Sequence, residues 1–327
     1  MKNYTIDMHC DSLTIAYLSE GQSLLDSETM VNFQYMKEGN VMAQFFAIYM
    51  LPEENKNSPE LCGLIGNDDT YIEGCAKQFY SNIAASKDMI AVAKSADEME
   101  ANLGAGKLSA VLTMEDGRAV DNKMEKLDHF YDLGVRALGL TWNRPNCFGF
   151  PNSTDTAIMN SGLTDFGKEA VIHMQEIGML VDVSHLSDGG FYDVAQLAER
   201  PFVATHSNSR TICPHQRNLT DEMIKILASH GGVMGVNFGP EFLHGRKGDK
   251  TSRLQDIIAM IQHIKKVGGI DVIGIGTDFD GIQGKLDIDN CSKMSLLADG
   301  LSVNGFTDDE IEKIFNRNVL RVLHEAL

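Results

Sequence analysis

The sequence predicts an α/β fold, a (β/α)8 barrel of the TIM type, on three observations. Its 327 residues match eight β/α units carrying a few long loops. Short β-rich runs alternate with longer helical patterns from end to end, as a parallel sheet with crossover helices requires. The place after the first strand, where a dinucleotide-binding sheet needs G-x-G-x-x-G, reads HCDSLTIA instead.

Strands are expected at Tyr4–His9, Val41–Tyr49, Leu108–Glu115, Ala137–Thr141, Leu180–Val183, Phe202–His206, Gly232–Val236 and Val272–Gly276, the runs richest in β-branched, aromatic and other large apolar residues. Helical patterns fall between them at Asp68–Ser86, Met124–Asp132, Thr164–Ile177, Asp221–Ser229 and Leu254–Val267, several opened by Asp, Ser or Thr as N-caps. A last helix is expected at Asp308–Leu323. The stretches Asp11–Gly39, Leu51–Asp68, Trp142–Gly162 and Gly239–Arg253 are expected as loops over the barrel mouth. No internal repeat or Pro/Ser-rich linker divides the chain, so one domain spanning 1–327 is expected.

Composition narrows the function. Lys and Arg number 28 against 46 Asp and Glu, a net charge of −18. A nucleic-acid partner is therefore not expected, since displacing counterions from phosphates takes basic residues, and anionic membrane surfaces are disfavoured in the same way. No basic-then-apolar leader or long apolar run is present. Cys10, Cys62, Cys75, Cys147, Cys213 and Cys291 are scattered with no CxxC pair. Free thiols and a cytoplasmic location are expected.

Chemistry concentrates at the strand C-termini, the rim of such a barrel that faces the mouth. The first strand runs into His9-Cys10-Asp11, the third ends in Glu115, the fifth leads to His185, the sixth ends in His206 and the eighth leads to Asp278. An H-x-D pair on an extended segment places both side chains on one face. Imidazole and carboxylate together suit zinc or manganese, and two further imidazoles with a central Glu115 complete two neighbouring metal positions. Asp7 shares the parity of His9, one layer deeper, and suits either a supporting or a purely structural role. His129, His173, His215, His230, His244, His263 and His324 fall in helical patterns or loops, away from this rim, and Asp116 and Asp280 read as loop acids.

These residues sit in segments that resemble the membrane dipeptidase (renal dipeptidase) family, the M19 metallopeptidases of the amidohydrolase superfamily. The likeness is carried by DMHCD at 7–11, MEDG at 114–117, GLTDFGKEAVIHMQEIGMLVDVSHLSD at 162–188, ATHSNSR at 204–210, HQRNLTDE at 215–222, GTDFDG at 276–281 and IEKIFNRNVLRVL at 311–323. The resemblance implies two zinc ions, one held by His9 and Asp11, the other by His185 and His206, with Glu115 bridging them. It implies a bridging hydroxide as nucleophile, Asp278 beside it as proton carrier, and Arg217 as a clamp on the substrate's carboxylate. A free dipeptide, with a D-residue accommodated at its C-terminal position, is the implied small-molecule substrate, and a homodimer the implied assembly. The family carries a further histidine just after the fourth strand; here Trp142 stands in that place, and Asn143 or Asn146 suits either a substitute hydrogen-bond donor or an ordinary loop asparagine. That departure keeps a second reading open, another binuclear amidohydrolase activity on N-acyl amino acids or lactones.

Overall fold

The computed structural model describes residues 4–19, 21–56 and 66–327, so Cys62 and the middle of the Leu51–Asp68 stretch lie outside the described residues. Its strands are β1 (Thr5–Cys10), β2 (Val41–Tyr49), β3 (Ile90–Val92), β4 (Leu108–Glu115), β5 (Val135–Gly139), β6 (Leu180–Asp182), β7 (Val203–Ala204), β8 (Val233–Val236), β9 (Thr251–Ser252), β10 (Ile273–Ile275) and β11 (Lys285–Leu286). Parallel pairing runs β1-β2-β4-β5-β6-β7-β8-β10 and returns from β10 to β1, which closes an eight-stranded barrel. The eight expected strands are these eight.

Three strands were not expected. β3 pairs only with the first residues of β4, Ile90 opposite Leu108, on the edge that β5 takes over from Leu112 onward. β9 and β11 make a two-stranded ribbon of two residues each. Segments so short carry no readable alternation. β5 begins two residues before its expected start because Arg136, a charge in an apolar run, is satisfied locally: its guanidinium stacks on Tyr131 and donates to the Tyr131 and Val135 carbonyls. The Asp11–Gly39 stretch is not all loop, since it holds helices Ser12–Leu18 and Phe33–Glu38, the second capped by Asn32.

The expected last helix is interrupted. Asp308–Glu312 opens on a Thr307/Glu310 capping box, Lys313–Arg317 widens into a π turn, and Asn318–Ala326 continues. The turn brings Asn316 to the Tyr4 carbonyl at 2.7 Å and Asn318 to the Ile270 and Ile273 carbonyls. These bonds seat the helix against the ends of β1 and β10. Its apolar side, Val319, Leu320, Val322 and Leu323, packs in one cluster with Ile6, Phe45, Val111, Leu180, Val203 and Val233, one or more residues from most barrel strands. The helix thus closes the end of the barrel from which the strands start. The larger cluster fills the layer between barrel and helices and includes Cys10, Phe46, Phe79 and Phe191. Burial of this apolar surface, at about 25 cal/mol per Å2, is what holds the layers together. The opposite end, at the strand C-termini, is left for polar groups.

Candidate metal centre at the barrel mouth

Five side chains from four parts of the barrel converge there. His9 comes from β1, Glu115 ends β4, and His206 follows β7. His185 follows β6 through a turn in which Asp182 Oδ1 accepts the Ser184 N–H. Asp11 arrives differently from the H-x-D expectation. β1 ends at Cys10, and Asp11 starts helix Ser12–Leu18, so a turn rather than strand alternation brings its Oδ1 to 3.7 Å from His9 Nε2. Cys10 packs away from the centre, in the layer behind the barrel.

Glu115 lies in the middle. Its Oε1 is 2.9 Å from His185 Nε2 and 3.4 Å from His206 Nε2, and its Oε2 is 3.6 Å from His9 Nε2. Asp278 Oδ1 approaches His9 Nε2 from the other side at 3.8 Å, while its Oδ2 accepts from Asn237 Nδ2 at 2.8 Å. The rings of His9 and His206 stack, centroids 3.7 Å apart. Backbone strain accompanies the assembly: His185 and Asp278 hold φ of 67° and 61°, in the left-handed region that costs a non-glycine residue free energy.

The donor set fits divalent cations. His9 Nε2 and Asp11 Oδ1 are buried with no hydrogen bond among the described residues. His185 Nε2 and His206 Nε2 face each other at 3.2 Å across Glu115 Oε1, an arrangement of lone pairs that a cation satisfies. His9, Glu115 and His206, and again His9, Asp11 and Asp278, present ligand atoms within 4.8 Å of one another. A Cβ at Gly281 would stand 2.2 Å from Asp11 Oδ2, so the missing side chain keeps this space open.

Burial dominates the electrostatics. It works against an imidazolium at His9, yet Glu115, Asp11 and Asp278 overcome it and raise the group to about 10. Burial raises Glu115 in turn, but His9 and the two other imidazoles carry it well below the ordinary carboxylate value. His185 falls to about 4 through burial and the charge of Arg217. Asp278 rises to about 6, driven by burial and by Glu115 against the opposing pull of His9. Burial, with the charges of His9 and Arg217, also holds His206 well below its ordinary value, so the His185 and His206 imidazoles stand ready to offer lone pairs to a metal beside Glu115.

The remaining predicted residues surround this centre. Arg217, 5% exposed, sits behind His206: Nη1 donates to Ser207 Oγ at 2.7 Å, Nη2 to the His206 carbonyl at 2.9 Å, and Nε has no partner among the described residues. Trp142 meets Tyr49 edge-on at 5.1 Å and, with Ile15, Leu18 and Leu51, walls a cavity of about 280 Å3 that Glu115 and Asp278 also line. Asn143 Oδ1 lies 3.3 Å from His185 Nδ1. Asn146 is committed elsewhere, donating to Asp116 and the Leu140 carbonyl. Asp116 and Asp280 brace loops, Asp280 accepting from the Met30 N–H and from Ser12. The other seven histidines stay outside, as with His263 on Asp221 at 2.8 Å and His173 on Asp128 at 2.7 Å.

Sequence reading missed Asn237, Gly281 and the Thr205 hydroxyl. A signal existed for the last: Thr precedes the site residue both at Thr205-His206 and at Thr277-Asp278, just past a strand end.

The profile of the membrane dipeptidase family (peptidase family M19) matches residues 1–327. An uncharacterized dipeptidase of Schizosaccharomyces pombe is 31% identical over 299 residues, 88% of this chain and 70% of that protein. A metallo peptidase from Rhodobacter sphaeroides, solved with a phosphinate mimic of the dipeptide L-Ala-D-Ala, superposes with a TM-score of 0.88 at 25% identity over 100% of both chains. Dipeptidase AC, an M19 metallo peptidase, gives 0.85 at 26% identity over 100% of this chain and 99% of its own. With its (β/α)8 barrel and polar centre at the strand C-termini, the chain belongs to the membrane dipeptidase family, the metallopeptidases of family M19.

Proposed function

We propose that the protein is a zinc-dependent dipeptidase that hydrolyses free dipeptides, within a single barrel domain, at a centre where His9, Asp11, Glu115, His185 and His206 would hold two cations. The observation that carries this reading is the central place of Glu115, one oxygen toward His185 and His206 and the other toward His9. His9 with Asp11 would hold one zinc, and His185 with His206 the other. Bound there, zinc supplies Lewis-acid polarisation of the scissile carbonyl and a water acidified toward neutral pH.

The protein's own groups do the rest. Asp278 takes a proton from the attacking water and returns it to the leaving amine, its free Oδ1 aimed at the centre while Asn237 holds Oδ2. Arg217 receives the substrate's carboxylate through its unpartnered Nε and the fork that Ser207 and the His206 carbonyl orient. The apolar wall of Tyr49, Leu51 and Trp142 takes the N-terminal residue. A cavity of about 280 Å3 suits a substrate of dipeptide size, and a D-residue at the C-terminal position fits the same reading.

The test is a panel of dipeptides with L- or D-C-terminal residues, N-acyl amino acids and lactones, run with zinc-loaded protein. Hydrolysis led by free dipeptides supports the reading. Preference for N-acyl amino acids or lactones refutes it and favours the second activity, which the Trp142 side of the cavity would then serve.

A further inference from the structure

The strand-end threonine beside His206 has a hydrogen-bond arrangement that bears on how the centre is set. Asp182 is buried and accepts three times: Oδ1 from the Ser184 N–H and the Thr205 N–H, each at 2.9 Å, and Oδ2 from the Thr205 hydroxyl at 2.5 Å. The same Thr205 Oγ1 is 2.8 Å from His206 Nδ1. A hydroxyl has one proton. Given to Asp182, it leaves Oγ1 able only to accept from the imidazole, so Nδ1 carries the hydrogen and Nε2 the lone pair. We propose that Asp182 and Thr205 form a relay that holds His206 with its proton on Nδ1 and its Nε2 lone pair turned toward Glu115 and His185, which makes Thr205 a positioning residue for the metal centre.

The barrel holds a second copy of the Asp–Thr clamp. Asp182 lies in register with Val203, and Asp7 with Ile275; in each case the threonine follows two residues later. Asp7 accepts from the Thr277 N–H at 2.9 Å and the Thr277 hydroxyl at 2.7 Å. There Oγ1 accepts the backbone N–H of Phe279 at 3.2 Å. The clamp by itself is thus a device for pinning two adjacent strand ends. At Thr205 the acceptor site is given to an imidazole, and a strand-end pin becomes a setter of tautomer. The outer nitrogen of a metal-binding histidine commonly has such a partner, whose loss weakens the metal about ten- to hundredfold. Oγ1 and Ser184 Oγ are 3.4 Å apart, and Ser184 Oγ accepts the His206 N–H at 3.2 Å, so the ring and the backbone of His206 are fixed together.

The relay rests on the metal-centre reading above, but its test does not depend on catalysis. The full chain, labelled with nitrogen-15 histidine, is studied first metal-free and then loaded with zinc at about pH 8, above the ordinary histidine range. The His206 signals are identified by their loss in His206→Asn. Long-range proton–nitrogen correlation is expected to place the proton on Nδ1, exchanging slowly with water. Thr205→Ser is expected to keep that signature. Thr205→Val is expected to lose the slow exchange and to bind zinc about ten- to hundredfold more weakly in chelator competition. A proton on Nε2 in the metal-free parent protein overturns the relay, as does a Thr205→Val protein with unchanged exchange and zinc affinity. Should Thr205→Val fail to fold, the parent and Thr205→Ser spectra still decide. A parent protein with the Nδ1–H signature that cleaves no dipeptide leaves the relay standing and removes the dipeptidase reading.

Discussion

Gly281 leaves open the space into which Asp11 turns its carboxylate: a Cβ there would lie 2.2 Å from Asp11 Oδ2, and 2.4 Å from Asp278 Oδ1 as well. Glycine is needed at 281 for room, because its φ is not among the positive ones. Gly281→Ala should therefore fold with a melting temperature close to the parent's in the presence of chelator. It should lose most of the stabilisation that zinc confers, with affinity down by more than about tenfold. Thermal melts with and without zinc check this, and an unchanged zinc-dependent shift would count against the proposed site.

Asp278→Asn keeps the shape and the Asn237 contact but cannot carry the proton. Metal content should stay at the parent level while kcat falls at least about a hundredfold, the scale of a lost acid–base group. Unchanged turnover would remove Asp278 from the reaction.

Arg217→Lys retains a charge but not the planar fork. KM for free dipeptides should rise by about tenfold or more, since a bidentate contact is lost, while C-terminally amidated dipeptides should be little affected. Equal losses for both substrates would place Arg217 in the support of His206 and not at the substrate.

A fourth prediction concerns pH. Asp116 is buried and raised to about 6, by burial first, against the stabilising pull of Asn146 and Arg118. A carboxyl group raised on folding contributes stability that is present below its unfolded value and is lost as pH climbs through its folded value. Between about pH 4 and pH 6 the parent should therefore lose up to roughly 3 kcal/mol that Asp116→Asn does not lose. Urea melts of metal-free parent and variant across that range check the sign; a variant that gains nothing over the parent as pH rises would refute it.

Much of this centre could be read before any coordinates. His9, Glu115, His206 and Asp278 all follow or end runs of apolar residues, and barrel geometry sends such positions to one rim. Asp11 comes beside His9 by a route the H-x-D pattern does not reveal, because a helix start brings it there in place of strand alternation. Asn237, Gly281 and Thr205 escaped notice because their parts depend on partners 41, 270 and 23 residues away: Asn237 holds Asp278, Gly281 meets Asp11 only through closure of the barrel, and Thr205 reaches Asp182 across a strand pair.

 Local sequence carries no trace of the first two pairings, and only the Thr before both His206 and Asp278 hints at the third. The unforeseen short strands and the π turn in the last helix were hidden differently, since two- and three-residue segments and a single widened turn leave no periodicity to detect.

The central claim is a metal-dependent dipeptidase, and the direct measurement is hydrolysis of free dipeptides by the purified full chain, with its metal content determined on the same sample. Turnover is expected that chelator abolishes and zinc restores, with about two zinc ions per chain in the active protein. Turnover indifferent to chelator, or a zinc-loaded protein that cleaves no dipeptide, would contradict it.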